Sequence, residues 1–265
     1  MAVWQSDETQ QVDQAIESIL AQTKQPDEMI IVKDGPVKDD VNACLRKHQN
    51  NPIINIVELP ENQGRGPARN HAINNSTSDI IFLMDADDIS RPNRLAIQLD
   101  MFLSQKLDLL GGFIEEFDNT PGDLGAIRHV PQNQKGIEQV VRFRSAFNHV
   151  TIMFWREFFT KIGGYSNLNY VEDWDFYLRA IHAGAKVGNT PEILVDVRKA
   201  VWRRRSFEYL REEIYIARTA FQRRQISASV FVLSLMFRLG KFIAPSALLN
   251  LLYQNILRKK NHRSN

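Results

Sequence analysis

The sequence has 265 residues and a single cysteine, Cys44. That excludes an internal disulfide framework and fits a reducing compartment. Long apolar runs are also missing. No stretch approaches the ~18 residues that would span a bilayer. The chain passes straight from Met1-Ala2-Val3-Trp4 into polar residues, so no signal peptide is expected. Internal repeats and low-complexity segments are absent. So is an excess of either charge, since the net charge is +2. This balance hides a split. Residues 1–197 hold 18 Lys+Arg against 28 Asp+Glu, whereas residues 198–265 hold 15 against 3. The acidic part suits a metal-using domain, the basic part a polyanion or an anionic membrane surface.

Against that background the run Ile80-Ile81-Phe82-Leu83-Met84-Asp85-Ala86-Asp87-Asp88 stands out. Five apolar residues empty into three carboxylates, which reads as a buried parallel strand with acids at its C-terminal end. Open α/β sheets bind ligands at that end. Acids this close repel unless a cation lies between them, and hard oxygen donors suit Mg²⁺ or Mn²⁺. The plainer alternative is an acidic loop capping a helix that starts near Ser90-Arg91-Pro92.

The first half alternates strand and helix: Met1–Trp4, Thr9–Gln22, Met29–Val32, Val37–Lys47, Ile53–Val57, Gly66–Asn75, Asp79–Met84. Four β-α units predict an α/β fold with a parallel, doubly wound sheet whose loops line one edge. A helix is expected over Arg94–Gln105, strands over Leu107–Phe117, Ala126–Val130 and Val150–Phe154, and a helix over Trp174–Ala183. The tail reads as a charged helix over Glu208–Arg224, then two apolar, basic helices, Val230–Gly240 and Pro245–Arg258. These suit a membrane interface, or else pack on the preceding domain. Their interleaved Leu, Phe, Ile and Val suit lipid better than nucleic acid, and no nucleic-acid partner is expected.

Other constellations are weaker alone. Asp34, before Gly35, could accept a hydrogen bond from a ribose or base, or be a plain turn residue. The stretch Asn62-Gln63-Gly64-Arg65-Gly66-Pro67-Ala68-Arg69-Asn70 could bring backbone N–H groups and arginines to an anion. Glu172-Asp173-Trp174-Asp175 could hold a general base, or simply complement a helix dipole. Asn148-His149 fits a packed, hydrogen-bonded histidine better than a metal ligand. Trp202-Arg203-Arg204-Arg205 could close over a diphosphate, or be a solvated turn.

The order of these pieces is more specific than any one of them. Met-Ala-Val-Trp, Val32-Lys33-Asp34-Gly35, Asn62-x-Gly64 with Arg69-Asn70, Asp85-Ala86-Asp87-Asp88, Gly163-Gly164-Tyr165 and Glu172-Asp173-Trp174-Asp175 follow one another. Together they strongly resemble the family-2 glycosyltransferases of GT-A fold, in particular small bacterial enzymes of exopolysaccharide and O-antigen assembly, the amylovoran type. The resemblance covers roughly residues 1–200 and, more loosely, the tail. It implies a Rossmann-like, mainly parallel sheet flanked by helices over 1–200, and a basic amphipathic, membrane-associating helical tail over 201–265. It implies that Asp34 contacts the uridine of a UDP-sugar and that Asn62 belongs to the nucleotide site. Asp85 and Asp87 would form the Asp-x-Asp element, with Asp87 on Mn²⁺ or Mg²⁺ and Asp85 on the ribose or the metal. Arg69 would support the acidic loop or the nucleotide, and Asp173 would be the catalytic base. Relatives usually carry residues ahead of the first strand, so a shortened sheet edge or nucleotide pocket is expected. The Gln-x-x-Arg-Trp element of processive synthases is absent, which argues for addition of a single sugar.

The implied activity is a metal-dependent, inverting transfer of one sugar from a UDP-sugar to a lipid-linked, polyprenyl-diphosphate saccharide. It would take place on the cytoplasmic face of the cell membrane, with the protein held peripherally. The chemistry is consistent: a base takes the acceptor's proton, and a cation neutralises the departing nucleoside diphosphate. A sugar nucleotidyltransferase is the first alternative, but it needs a Gly-rich loop where this chain has Gln5-Ser6-Asp7-Glu8. A non-catalytic membrane-associated protein keeping only the fold is the second, and the intact Asp85, Asp87 and Asp173 oppose it.

Overall fold

The computed structural model describes residues 1–199 and 206–244 and the backbone of 258–260. Elements run in chain order as β1 (Ala2–Val3), α1 (Thr9–Leu20), β2 (Met29–Lys33), α2 (Asp39–His48), β3 (Ile54–Glu58), α3 (Arg65–Asn74), β4 (Ile80–Phe82), β5 (Ile89–Ser90) and α4 (Arg94–Ser104). Then follow β6 (Leu109–Phe117), β7 (Ala126–Arg128), α5 (Gln134–Val141), β8 (Met153–Trp155), α6 (Arg156–Lys161), α7 (Glu172–His182), β9 (Val187–Arg198), α8 (Phe207–Gln222), α9 (Ala228–Ile243) and β10 (Arg258–Lys260).

The α/β expectation holds, and the first three β-α units form as expected. Strands β1, β2 and β3 pair in parallel, with Ile31 opposite Ile56. Helix α1 buries Val12, Ala15, Ile16 and Ile19, spaced three and four apart as an amphipathic helix requires.

The fourth unit departs from the expectation. Strand β4 is half-buried and pairs antiparallel with β8, in a second, mixed sheet. It is therefore not the buried parallel strand that its apolar run suggests. The apolar residues Leu83 and Met84 are buried just beyond the strand, where the chain turns toward the acids. Ser90 lies in β5, not at a helix cap, and α4 begins at Arg94. In the second sheet β6, buried along its whole length, pairs in parallel with β9 and antiparallel with β7 and β8. The expected strand Val150–Phe154 begins one turn later, because His149–Thr151 form a 3₁₀ turn.

Arg94 fastens this sheet to the acidic loop. It is fully buried and donates from Nη2 to the carbonyls of Leu83 (2.7 Å) and Val150 (2.8 Å). Its Nε reaches Gln98 Oε1 at 2.9 Å, and its guanidinium lies 5.2 Å from the Phe82 ring. One cation thus satisfies carbonyls on the chain beyond β4 and ahead of β8.

The tail helices pack on this body. Helix α8 buries Leu210, Ile216, Ala217 and Ala220, and the last three join the cluster formed by α5, β8 and α7. The expected helix Pro245–Arg258 lies outside the described residues except for Arg258, which opens β10 and pairs antiparallel with Arg128 of β7. The Trp202–Arg205 segment also lies outside them.

Replacing Arg94 by Met is expected to leave two buried carbonyls without donors. At about 1–3 kcal/mol for each unsatisfied group, urea unfolding of Arg94→Met should show a loss of about 3 kcal/mol. An unchanged midpoint would remove Arg94 as the fastener.

Candidate active site

The loops after β2 and β3 meet through Asp34. Its carboxylate is 5% exposed and accepts hydrogen bonds from the N–H of Gln63 (2.7 Å) and Gly64 (3.1 Å), and from Asn62 Nδ2 (3.1 Å). Gly35 lies at φ +81°, and a Cβ there would stand 2.6 Å from Asn62 N, so the close approach of the two loops requires glycine. The structure brings Asp34 and Asn62 together. It gives both Asp34 oxygens to the loop after β3.

The helix that follows, α3, presents Arg69. Its Nη2 donates to Asp85 Oδ1 at 2.9 Å and its Nη1 to Glu172 Oε1 at 2.8 Å. The Arg69 side chain is 11% exposed and that of Glu172 6%. This bridge joins the acidic loop to the first turn of α7, with Arg69 and Glu172 103 residues apart in sequence. Its neighbour Asn70 fixes the approach of the two segments: its Oδ1 accepts from Tyr165 N (2.9 Å) and its Nδ2 donates to Tyr165 O (2.8 Å). At Gly66 a Cβ would lie 2.7 Å from Ser166 O, so the α3 N-terminus can approach that carbonyl only without a side chain.

Helix α7 starts at Glu172, two residues earlier than the sequence suggests, so Glu172 and Asp173 both lie in its first turn. Asp173 is half-buried, and its Oδ1 accepts from Trp174 N at 2.7 Å. The acids of this region do not titrate alike. Burial pushes Glu172 up to about 7 against the pull of Arg69, and Asp173 adds to the rise. Burial also opposes ionisation of Asp85, but the Arg69 guanidinium outweighs it and holds the carboxyl below its ordinary range. Asp87 is exposed, and its pKa is raised by partial desolvation and by Asp85. Asp88 is buried and raised further by desolvation, Asp87 and Asp85, although Arg198 N donates to its Oδ1 at 3.0 Å.

Sequence reasoning alone misses Asp7. It lies in the loop after β1, is raised to about 6 chiefly by burial, and feels the charges of Asp87 and Asp85. A carboxylate just past a strand C-terminus is the available signal. The sequence pairs Glu172 with Asp173 and gives no sign of its contact with Arg69. His149 packs as the sequence suggests, with Nδ1 2.6 Å from the Tyr177 hydroxyl; burial, then Arg69, keeps it neutral.

Asp85 raises Asp87, and both raise Asp88; clustered carboxylates of this kind are the donor set that a hard divalent cation neutralises. The residues present fit such an ion, with Asp87 exposed and Asp85 half-buried. A second cluster, Asp13, Cys44 and His48, lies on α1 and α2, two helices that carry none of these acids.

The site can now be set beside known proteins. Residues 7–163 match the family model described as glycosyl transferase family 2. The chain belongs to that family. A galactosyltransferase of Escherichia coli, named for transfer from UDP-Gal to α-D-GlcNAc-diphosphoundecaprenol, is 30% identical over 98% of this chain and 95% of its own length. The amylovoran biosynthesis glycosyltransferase AmsE of Erwinia amylovora is 28% identical over 96% of each chain. Staphylococcus aureus TarS (residues 1–349), crystallised with UDP-GlcNAc, superposes with TM-score 0.68 at 15% identity, over 96% of this chain and 75% of that one. The fold of this family-2 glycosyltransferase is accordingly GT-A, as the order of the motifs implied, and its relatives include bacterial glycosyltransferases of amylovoran and O-antigen biosynthesis.

Glu172 also sets a pH dependence. Its folded pKa of about 7 lies above the ordinary 4.5, so the folded chain keeps a proton that the unfolded chain releases. Unfolding free energy therefore falls as pH rises from 4.5 to about 7 and levels off above. At 1.36 kcal/mol per pKa unit the fall amounts to roughly 3 kcal/mol at most. Glu172→Gln should flatten this slope in urea melts at pH 5 and 7.5; an unaltered slope would mean that Glu172 ionises normally.

Proposed function

We propose that this glycosyltransferase moves a single sugar from a UDP-sugar to a lipid-linked, polyprenyl-diphosphate saccharide in bacterial surface-polysaccharide synthesis, with metal assistance and inversion at the anomeric carbon. The observation that carries the reading is the Arg69 bridge. It ties the Asp85–Asp87 loop to the Glu172–Asp173 turn, so that two separate pairs of acids border one region. A leaving diphosphate and an attacking hydroxyl need that separation of roles. The named substrates of the Escherichia coli relative and the UDP-GlcNAc complex of the TarS neighbour support the choice of donor and acceptor class.

In this reading Asp87 and Asp85 would hold Mn²⁺ or Mg²⁺, which when bound would supply charge neutralisation for the departing UDP. Asp34 and Asn62 shape the uridine pocket. Asp173, more open than Glu172, takes the proton from the acceptor hydroxyl. Arg69 holds Glu172 and Asp85 in register, and its charge keeps Asp85 ionised toward the cation.

The same reading places the chain peripherally on the cytoplasmic face of the membrane, and α9 supports this. Its inner face buries Ser234 and Arg238, with Arg238 4.5 Å from the Trp174 ring. Its outer face exposes Val232, Leu233, Met236, Phe237 and Ile243. Among the described residues no helix is long and apolar enough to cross a membrane. An exposed apolar face beside the exposed Arg223 and Arg224 suits lying in an anionic interface.

Release of UDP from a panel of UDP-sugars, with and without Mn²⁺, tests the class and names the donor. Asp173→Asn should lower transfer by about 10²–10⁴-fold while leaving UDP binding nearly intact; wild-type turnover would refute the base. Substituting Met236 and Phe237 with serine should weaken salt-sensitive binding to anionic vesicles at least severalfold, and equal binding would exclude α9 as the contact.

A further inference from the structure

The Asp13–Cys44–His48 cluster shares no residue with the transferase site. Two helices bring it together. Asp13 and Glu17 lie one turn apart on α1, and Cys44 and His48 one turn apart on α2, so each pair shares a helix face. The ligand atoms of Asp13, Cys44 and His48 all lie within 4.8 Å of one another. Asp13 Oδ1 is 2.6 Å from His48 Nε2 and 3.7 Å from Cys44 Sγ. Cys44 and His48 are 8% and 5% exposed, so the imidazole and the sulfur are held by packing.

We propose that Asp13, Cys44 and His48 form a zinc-binding site that ties α1 to α2. Sulfur, imidazole nitrogen and carboxylate oxygen are the donors Zn²⁺ takes, at about 2.0–2.3 Å. Such bonds set donors about 3.3–3.8 Å apart, so the donors need shifts of only about 1 Å from their present places. Glu17 Oε1 lies 3.9 Å from His48 Nδ1, the nitrogen facing away from Asp13. A carboxylate there orients a metal-bound imidazole. The position already draws a cation, because Lys47 Nζ sits 3.0 Å from Asp13 Oδ1. Lys47 is 59% exposed and has a second acid, Glu17, at 3.8 Å, so it can leave without losing an ion pair. On binding, the Cys44 S–H bond breaks, a Zn–S bond forms and its proton goes to solvent; His48 Nε2 likewise gives up the proton it shares with Asp13 and bonds the metal, leaving the imidazole's N–H on Nδ1 toward Glu17. Burial and Asp13 raise the thiol to about 11 in the metal-free protein, so affinity should increase with pH. Bound zinc with Asp13 and the thiolate is neutral, which suits a half-buried place between two helices.

The single cysteine makes the test specific. Full-length protein is titrated with Co²⁺ and read by absorbance. Wild type should give a thiolate-to-cobalt charge-transfer band at one equivalent, displaced by Zn²⁺ and lost in Cys44→Ser. Oxygen donors such as Asp85 and Asp87 give no such band, so the result stands whether or not the chain turns over a UDP-sugar. Asp13→Asn, which keeps a hydrogen-bond acceptor for His48, should weaken Zn²⁺ binding at least about tenfold while unfolding at a similar midpoint without metal. A wild-type spectrum without the band, or equal zinc retention by wild type, Asp13→Asn and Cys44→Ser, would overturn the site.

Discussion

The Arg69 guanidinium holds two carboxylates that would otherwise drive their segments apart. Asp85 ends the run that leaves β4, and Glu172 opens α7; neither is near the other in sequence. Holding the charged Arg69 and Glu172 away from water is costly, and the arrangement persists because each N–H fork of the arginine meets an oxygen within 2.9 Å. Removing the cation would leave the buried Glu172 and the half-buried Asp85 without their shared partner. The glycine at 66 and the two-way clamp between Asn70 and Tyr165 fix α3 close enough for the bridge to form.

The two sheets divide the work around that bridge. The parallel sheet β1–β3 supplies the loops that Asp34 ties together through Asn62, Gln63 and Gly64. The mixed sheet supplies the acids and the helix that faces them. Arg94 locks the end of β4 to the segment before β8, and Arg198 of β9 holds Asp88 through its backbone N–H. The acidic loop is thus clamped from α3, α4 and β9. This gives a rigid frame for groups whose charges repel, and it explains how neighbouring acids can differ so much in proton affinity: Asp85 faces a guanidinium, while Asp88 faces other carboxylates.

Much of this was legible. The parallel β-α units follow from periodicity, and Asp34, Asn62, Arg69, Asp85, Asp87 and Asp173 stand in an order that marks the family. Other features were hidden for physical reasons. Strand β9 contains Gly188, Asn189 and Pro191, residues that read as a turn; β6 accommodates them through register shifts at Gly112–Ile114. Helix α5 is short and carries Gly136 within it, and its Asn133 cap shows only once the Asn133 side chain is seen accepting from Gly136 N. In α9 most of the apolar residues from Val232 on face outward while Arg238 faces Trp174, the reverse of what a soluble amphipathic helix teaches one to expect.

The sequence by itself determined the helices of the first half, the parallel pairing that β-α alternation demands, and the residue types at the site, because periodicity and strand-end acids are local properties. Tertiary structure decided which acid meets which cation. That Glu172 rather than Asp173 takes Arg69, that Asp7 joins the acidic group, and that β4 pairs antiparallel with β8 all depend on contacts across many residues. Proton affinity follows the same rule: it is set by burial and by the nearest charge, and neither exists until the chain has folded.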